Sequence, residues 1–405
     1  LPLDVQGGTL GLRLLTEQSS PFRAVVLRLT DEAGSVIARA PFGPDDTPHL
    51  RGRWARLVEP VFEDQADRFV RAANLASEWN RTPWYGDVQV LGVTFPEELG
   101  HRREGTGWIF LLRRRGNAKG FRAGHALKTV FLRPGRLGLT DLTARLPVFQ
   151  SLQTATVAVF GTGCLGAPSV IELAKAGVGN IHFLDGDVVE SGTIVRWPFG
   201  VPAVGRDKAK VLAEHLNAHY PWVKYLGVSQ RLGAPDGKTP DRDVVDRMLE
   251  GADLVYDALA ETGFQYLLSE LARERGIAHI SVAATRGAFG GTVARLSNTD
   301  GTACWGCLQQ AIATGDVPKP PEDSTGVTQP EGCAQVTYVG SHCDLQEVML
   351  QGVRLTVATL ARKYQRDYRD FEWDVGVLSL RDETCARIAP RGNDQVYSLS
   401  FALRI

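Results

Sequence analysis

The sequence predicts an α/β chain in two parts, a domain with a mainly parallel sheet over residues 146–405 preceded by a smaller α+β domain over residues 1–145. Three observations predict it. From residue 154 onward, short β-branched runs alternate with helical stretches, a pattern that lays helices on both faces of a parallel sheet. Before residue 134, strand-like runs predominate and a single helical stretch interrupts them. Between the two lies a connector punctuated by Pro and Gly, residues 133–147. A chain of 405 residues is long enough for two domains with sizeable cores.

In the first part, strands are expected at residues 22–29, 36–40, 88–95, 108–112 and 127–132, with a helix over 62–79. Trp79, Trp84, Tyr85 and Trp108 are either core residues or a partner surface. Residues 1–153 contain no cysteine, which excludes an acyl thioester there.

In the second part, the first strand is TVAVF (156–160). A helix over 167–177 follows and stops at Gly177. Next come a strand at 181–185 and a helix over 205–221 closed by Pro221. A strand at 254–258, a helix at 264–276 and a strand at 277–283 continue the alternation. Residues 316–332 are rich in Pro and Gly and read as mobile, the middle of a crossover loop over 312–335. The helix over 344–363 has Asp344 and Glu347 at capping-box spacing.

Hydrophobic residues make up 43% and charged residues 22%, the balance of a globular protein. The net charge of −1 supplies no global field toward nucleic acid or an anionic membrane. No apolar run is long enough to span a bilayer, and the start LPLDVQGG has no signal-peptide pattern. Beginning at Leu1 rather than Met reads as a fragment or a processed chain. Six cysteines are too few for a disulfide scaffold, and two form a CxxC. A cytoplasmic location is expected.

The strand TVAVF runs straight into GTGCLG and then a helix. Gly161 permits the tight turn, Gly163 lets backbone N–H groups approach a phosphate, and Gly166 lets the helix pack against the strand. Asp185 ends the next strand, where an acid bonds a ribose hydroxyl. These features point to a nucleotide site and leave NAD and ATP both open.

The following residues separate the two. AGVG stands at 176–179, Asp185 and Asp187 precede Glu190, Arg196 follows, and Gly205 and Lys208 open the next helix. This combination, over roughly residues 145–385, resembles the ThiF/MoeB/ubiquitin-activating superfamily. The resemblance implies a Rossmann-like adenylation domain that binds ATP and Mg2+. Adenylation is attack by a carboxylate on the α-phosphate, expelling pyrophosphate, and both partners are anions. Arg196 and Lys208 suit that charge, and Asp185 and Asp187 would hold the nucleotide. Several positions depart from the family pattern. Gly192-Thr193-Ile194 replaces Ser-Asn-Leu, Trp197 replaces Gln, and Ala260 stands where the magnesium-associated acid is usual. Asp257 or Glu261 is the candidate substitute for that acid, and Asp257 reads equally well as a cap of the following helix. Arg145 is the candidate for an arginine that the family supplies from before the domain.

The family has two CxxC pairs that hold a structural zinc. Here Cys304 and Cys307 form one pair and only Cys385 stands near the other, leaving zinc binding and reduced thiols both open. A thioredoxin-like role is less favoured, because no βαβ start precedes the CxxC. Cys333, after the crossover, is the candidate to take an acyl group as a thioester. Cys343 competes, being close to a helix start, although the surrounding pattern reads it as packed. Cys164 reads as a space-filler.

Residues 81–100 and those after them resemble the leading domain of bacterial ubiquitin-activating-like proteins, which are often encoded in antiphage operons. The implied partners are a ubiquitin-like protein with a glycine tail, a conjugating enzyme and a second copy of the chain. No nucleic-acid or membrane partner is expected. The alternatives are a sulfur-carrier or peptide adenylyltransferase without a thioester, a non-catalytic scaffold for a ubiquitin-like tail, and a nicotinamide-dependent oxidoreductase.

Overall fold

The computed structural model describes residues 1–2, 4–14, 24–39, 50–86, 88–100, 103–114, 128–132, 148–233, 241–296, 303–328, 337–364 and 368–380. The chain divides into two compact units, Leu1–Gly138 and Leu139–Ile405. Among the described residues, no helix is long and apolar enough to cross a membrane.

The first unit is a seven-stranded sheet. Its strands are β1 (Gly7–Leu14), β2 (Ala24–Asp31), β3 (Val36–Arg39), β4 (Leu50–Arg56), β5 (Val88–Gly100), β6 (Arg103–Arg114) and β7 (Lys128–Leu132). They lie in the order β3-β2-β1-β4-β5-β6-β7. Only an excursion out of the sheet lets consecutive strands run parallel. The helices α1 (Ala66–Ala72) and α2 (Ala76–Arg81) supply it between β4 and β5, which pair in parallel. The helix expected over 62–79 is therefore two short ones, broken at Asn74, whose φ of 52° is left-handed. Phe69 and Trp79 pack on one face of the sheet against Leu91, Val93 and Leu111. Leu10, Trp54 and Val90 fill the other.

The aromatic candidates divide. Trp79 is buried, Tyr85 is half-exposed, and Trp108 is partly buried and stacked on Phe110 at 5.6 Å. Strands β1 and β4 escaped the sequence reading. Glycines dilute the first, and arginines stand between Leu50, Gly52 and Trp54 in the second. One of those arginines, Arg53, is buried and ion-paired to Glu32 and to Glu78, the latter at 2.8 Å.

The second unit begins with α3 (Val148–Leu152), β8 (Thr156–Phe160), α4 (Gly166–Ala176), β9 (Asn180–Leu184), α5 (Lys208–His219) and β10 (Lys224–Val228). It continues with α6 (Asp241–Leu249), β11 (Leu254–Asp257), α7 (Thr262–Glu274), β12 (Ala278–Ala284), β13 (Gly290–Leu296) and α8 (Trp305–Thr314). The short strands β14 (Val327–Thr328) and β15 (Thr337–Tyr338), the helix α9 (His342–Tyr364) and β16 (Val375–Ser379) complete it. The main sheet has the order β10-β9-β8-β11-β12-β13-β16, with β14 and β15 paired separately. β8 to β12 run parallel, and β13 and β16 add antiparallel at one edge. The architecture is thus a mixed, mainly parallel Rossmann-like sheet preceded by an α/β unit. Val157, Val170, Ile181 and Val348 belong to the core on one face, and Ala158, Val245 and Leu268 to that on the other.

Two expectations are corrected. The crossover expected from 312 starts later, because residues 312–314 are the end of α8, and the irregular segment after it meets the β12–β13 turn, where Thr285 Oγ1 donates to Pro321 O and Asp323 N to Arg286 O at 3.0 Å. The rest of that loop, from 329 on, lies outside the described residues. The helix expected at 344 starts at His342, and its first turn is held by Ser341 Oγ accepting from Asp344 N at 3.1 Å. A hydroxyl one residue before the helix caps it where the sequence pointed to Asp344.

Candidate functional site

The site is built where the parallel sheet changes direction. The chain leaves β8 for β9 on one side, and β11 returns to the other side of β8, so a crevice opens at the carboxyl ends of these strands. Phe160 is in register with Leu184 and with Asp257, which brings three strand ends to one level. Gly161 N donates to Leu184 O at 2.9 Å, and Ala258 N to Phe160 O at 3.0 Å.

Protein sterics require two of the three expected glycines. Gly161 has φ +84°, and a Cβ there would stand 2.9 Å from Ala258 O. A Cβ on Gly166 would stand 1.8 Å from Gly161 O. At Gly163 a Cβ meets no atom within 4 Å, so this position faces open space. The helix α4 starts beyond the bend without a side-chain cap. In its first turn Ala167 N already donates to Gly163 O at 3.0 Å and Pro168 carries no N–H, so Gly166 supplies the N–H suited to an anion.

Thr162, at the centre of the bend, is clamped from both sides. Asp185 Oδ2 accepts from Thr162 N at 2.7 Å and from Thr162 Oγ1 at 3.1 Å. Trp197 Nε1 donates to Thr162 O at 2.8 Å. Asp185 Oδ1 accepts from Asp187 N at 2.8 Å. A carboxylate has about four acceptor sites, so three are used within the protein. Trp197 had no role in the sequence reading. It is 4% exposed and packs edge-on against Phe199 at 5.1 Å.

The two cations converge on the bend. The segment after Asp185 folds back on the start of α5: Val189 N donates to Arg206 O at 2.9 Å, Gly205 N to Val189 O at 2.8 Å and Lys208 N to Asp187 O at 3.0 Å. Gly205, at φ +78°, makes that return possible. Lys208 Nζ reaches Asp187 Oδ2 at 3.0 Å. Burial disfavours the ammonium, but the Asp185 and Asp187 carboxylates outweigh it, and the Lys208 pKa lies above its ordinary value. Arg196 Nη1 donates to Tyr338 O. Its guanidinium carbon lies 5.4 Å from the Tyr338 ring centre. Burial pushes the Cys164 thiol up against the pull of Arg196 and Lys208, so it remains a neutral thiol. Cys164 is partly buried and packs against the core, as a space-filler does. Tyr338, also missed in the sequence reading, closes the same cluster.

Other expected residues are placed differently. Asp257 is fully buried, with Oδ1 accepting from Leu259 N at 3.0 Å and Oδ2 lying 3.5 Å from His279 Nε2. Among the described residues Oδ2 and both His279 ring nitrogens have no hydrogen-bond partner. This carboxylate is turned into the core and does not fit a magnesium ligand. Nor does Asp257 cap the next helix. Glu261 does, accepting from Gly263 N and Phe264 N at 3.2 and 2.8 Å. Thr193 Oγ1 is engaged locally, donating to Glu190 O at 2.8 Å. Cys343 is exposed in the first turn of α9 rather than packed. Cys304 and Cys307 lie with their sulfurs 3.7 Å apart. No group of three or more His, Cys, Asp or Glu converges among the described residues. Cys333, Cys385 and Arg145 lie outside those residues.

Comparison with known proteins relates the chain to a family. The sequence model described as "ThiF family" matches residues 140–360. The uncharacterized protein y4oA of Sinorhizobium fredii is 32% identical over 94% of this chain and 66% of its own length. Protein y4qC of the same organism is 34% identical over 68% of this chain and 49% of its own. The chain thus spans less than two thirds of either relative. The probable adenylyltransferase/sulfurtransferase MoeZ of Mycobacterium tuberculosis is 35% identical over 32% of this chain and 35% of its own.

Proposed function

The chain belongs to the ThiF family, and from that premise we propose that it adenylates the C-terminal carboxylate of a small protein or peptide with ATP. The observation that carries the reading is the glycine bend clamped at Thr162 by Asp185 and Trp197, with Lys208 held beside it by Asp187 at 3.0 Å and Arg196 adjoining Trp197 in the chain. The cradle fits a polyphosphate: Gly163 is open, the α4 N-terminus is uncapped by a side chain, and two cations stand beside it.

ATP bound there supplies an electrophilic α-phosphorus and a pyrophosphate leaving group. The residues of the chain orient and neutralise. Backbone N–H groups of the bend, from Gly163 to Gly166, receive phosphate oxygens. Arg196 and Lys208 stabilise charge as it builds on the transferred and departing oxygens. Lys208 exchanges its bond with Asp187 for phosphate, and Asp187, with a side chain 59% exposed, is the carboxylate at the bend with room to face a magnesium ion. Asp185 and Trp197 keep Thr162 fixed, so the cradle is preorganised. Asp185 retains an acceptor site for a ribose hydroxyl.

The acceptor carboxylate is proposed to belong to a ubiquitin-like or sulfur-carrier protein with a glycine tail. The name of MoeZ, which joins adenylyl transfer to sulfur transfer, favours a sulfur-carrier reading over a thioester relay. The relay through Cys333 to a conjugating enzyme is the further step that the sequence resemblance implies. Conjugate formation that survives Cys333→Ala would remove it.

ATP–pyrophosphate exchange tests the main reading. A peptide ending in a free glycine carboxylate should stimulate exchange and its C-terminal amide should not. Equal rates with both peptides, or NAD binding without ATP binding, would overturn it.

A further inference from the structure

We propose that Cys304 and Cys307 form a reversible dithiol–disulfide pair, a redox site separate from the glycine bend and independent of the adenylation reading. The two residues straddle the start of α8. Cys304 is its N-cap residue, with extended backbone, and Cys307 is three residues on, in the first turn. Residues so spaced share one helix face. Their sulfurs already lie 3.7 Å apart. A disulfide needs them at about 2.05 Å, a shift of about 1.7 Å within reach of side-chain rotation.

The surroundings favour reaction at Cys304. Its place at the start of α8, with the Cys307 thiol beside it, holds the Cys304 thiol below its ordinary value, against burial and the Glu270 carboxylate. From α7, the groups that bear on this helix start are few. Ser269 Oγ accepts from Trp305 N at 3.0 Å, Glu270 is ion-paired to Arg273, and Tyr266 is half-exposed beside Gly306. Cys304 is partly buried and Cys307 exposed, so a small disulfide can reach the pair. The sequence reading discounted redox chemistry for lack of a βαβ start, but the physical requirement is a helix N-terminus with both sulfurs in contact, and α8 provides it.

The oxidant is a low-molecular-weight disulfide of the glutathione type. The Cys304 thiolate attacks one of its sulfurs, forming a mixed disulfide and releasing one thiolate. Cys307 then loses its proton to solvent and attacks the Cys304 sulfur, forming the internal disulfide and releasing the second thiolate. The chain gives up two electrons and two protons, and the small disulfide becomes two thiols.

The test equilibrates the whole chain in glutathione buffers from reducing to oxidising, quenches in acid, alkylates free thiols and weighs the peptide carrying both cysteines. The peptide should pass as one unit from doubly alkylated to an internal disulfide lighter by two hydrogens than the dithiol, and a reductant should reverse it. In Cys307→Ser, glutathione should remain trapped on Cys304. The proposal is overturned if both thiols stay alkylatable in the most oxidising buffer. It is also overturned if the purified chain releases one zinc as these two thiols are titrated, since both sulfurs would then be metal thiolates. The wild-type chain alone carries both decisive readouts, so a misfolded variant does not protect the idea.

Discussion

Both units hold a seven-stranded sheet, and both partly or fully bury an arginine, yet the two arginines are surrounded differently. In the first unit Arg53 lies between Glu32 and Glu78, and Arg81 joins both acids. Opposite charges close on one another, so the cluster serves the fold. In the second unit Lys208 is paired with Asp187 at 3.0 Å, and Arg196 meets a carbonyl oxygen and a tyrosine ring. On the proposed function these two cations, beside a glycine bend, also serve an anion that arrives from outside. A buried charge is thus read by what balances it.

The largest expected effect is at the second cluster. Arg196→Ala and Lys208→Ala should each slow pyrophosphate exchange by about 10²–10³, the loss typical of one preorganised charge-stabilising donor. Their unfolding midpoints should fall less than that of Arg53→Ala. A large loss of stability with unchanged exchange would reverse the contrast.

The bend itself comes next. Gly166→Ala places a Cβ 1.8 Å from Gly161 O and should destabilise the second unit by about 1–3 kcal/mol in urea unfolding. Gly163→Ala meets no protein atom and should leave stability unchanged while weakening ATP. At the first cluster, Arg53→Ala should cost about 2 kcal/mol, less than for a wholly buried pair because Glu32 is 49% exposed, with exchange unaffected.

The smallest effects are in pH dependence and fall on opposite limbs. Burial raises the Glu32 carboxyl, and Arg53 and Arg81 more than offset this, leaving it below its ordinary 4.5. Its stabilising contribution is complete above pH 4.5 and is lost as pH falls through the lowered value. Glu32→Gln should therefore flatten the acid limb of the stability profile. Lys208, raised above its ordinary 10.5, contributes fully below that pH and loses the contribution as pH rises through the folded value. Lys208→Met should flatten the alkaline limb.

The sequence carried the second unit better than the first, for a physical reason. β8 matches its expected bounds, and α4 and β9 fall within a residue of theirs, because buried parallel strands are continuous apolar runs and glycines end their helices. Other strands were missed: KYLGV of β10 is largely exposed, and LRGRWAR of β4, though mostly buried, has its apolar pattern interrupted by arginines. At the site, residue types with a chemical signature were legible, namely the glycines, Asp185, Arg196 and Lys208. Tyr338 and Trp197 were not, since they act through a backbone carbonyl and an indole N–H fixed only by tertiary packing. Asp257 misled because its position at a strand end is legible, but the direction of its carboxylate is not.

The central claim is that Arg196 and Lys208 act on the polyphosphate rather than on the nucleoside. Equilibrium binding of ATP and of AMP to wild type, Arg196→Ala and Lys208→Ala measures this directly. The account predicts that both substitutions weaken ATP much more than AMP. Equal weakening of the two nucleotides, or none, would contradict it.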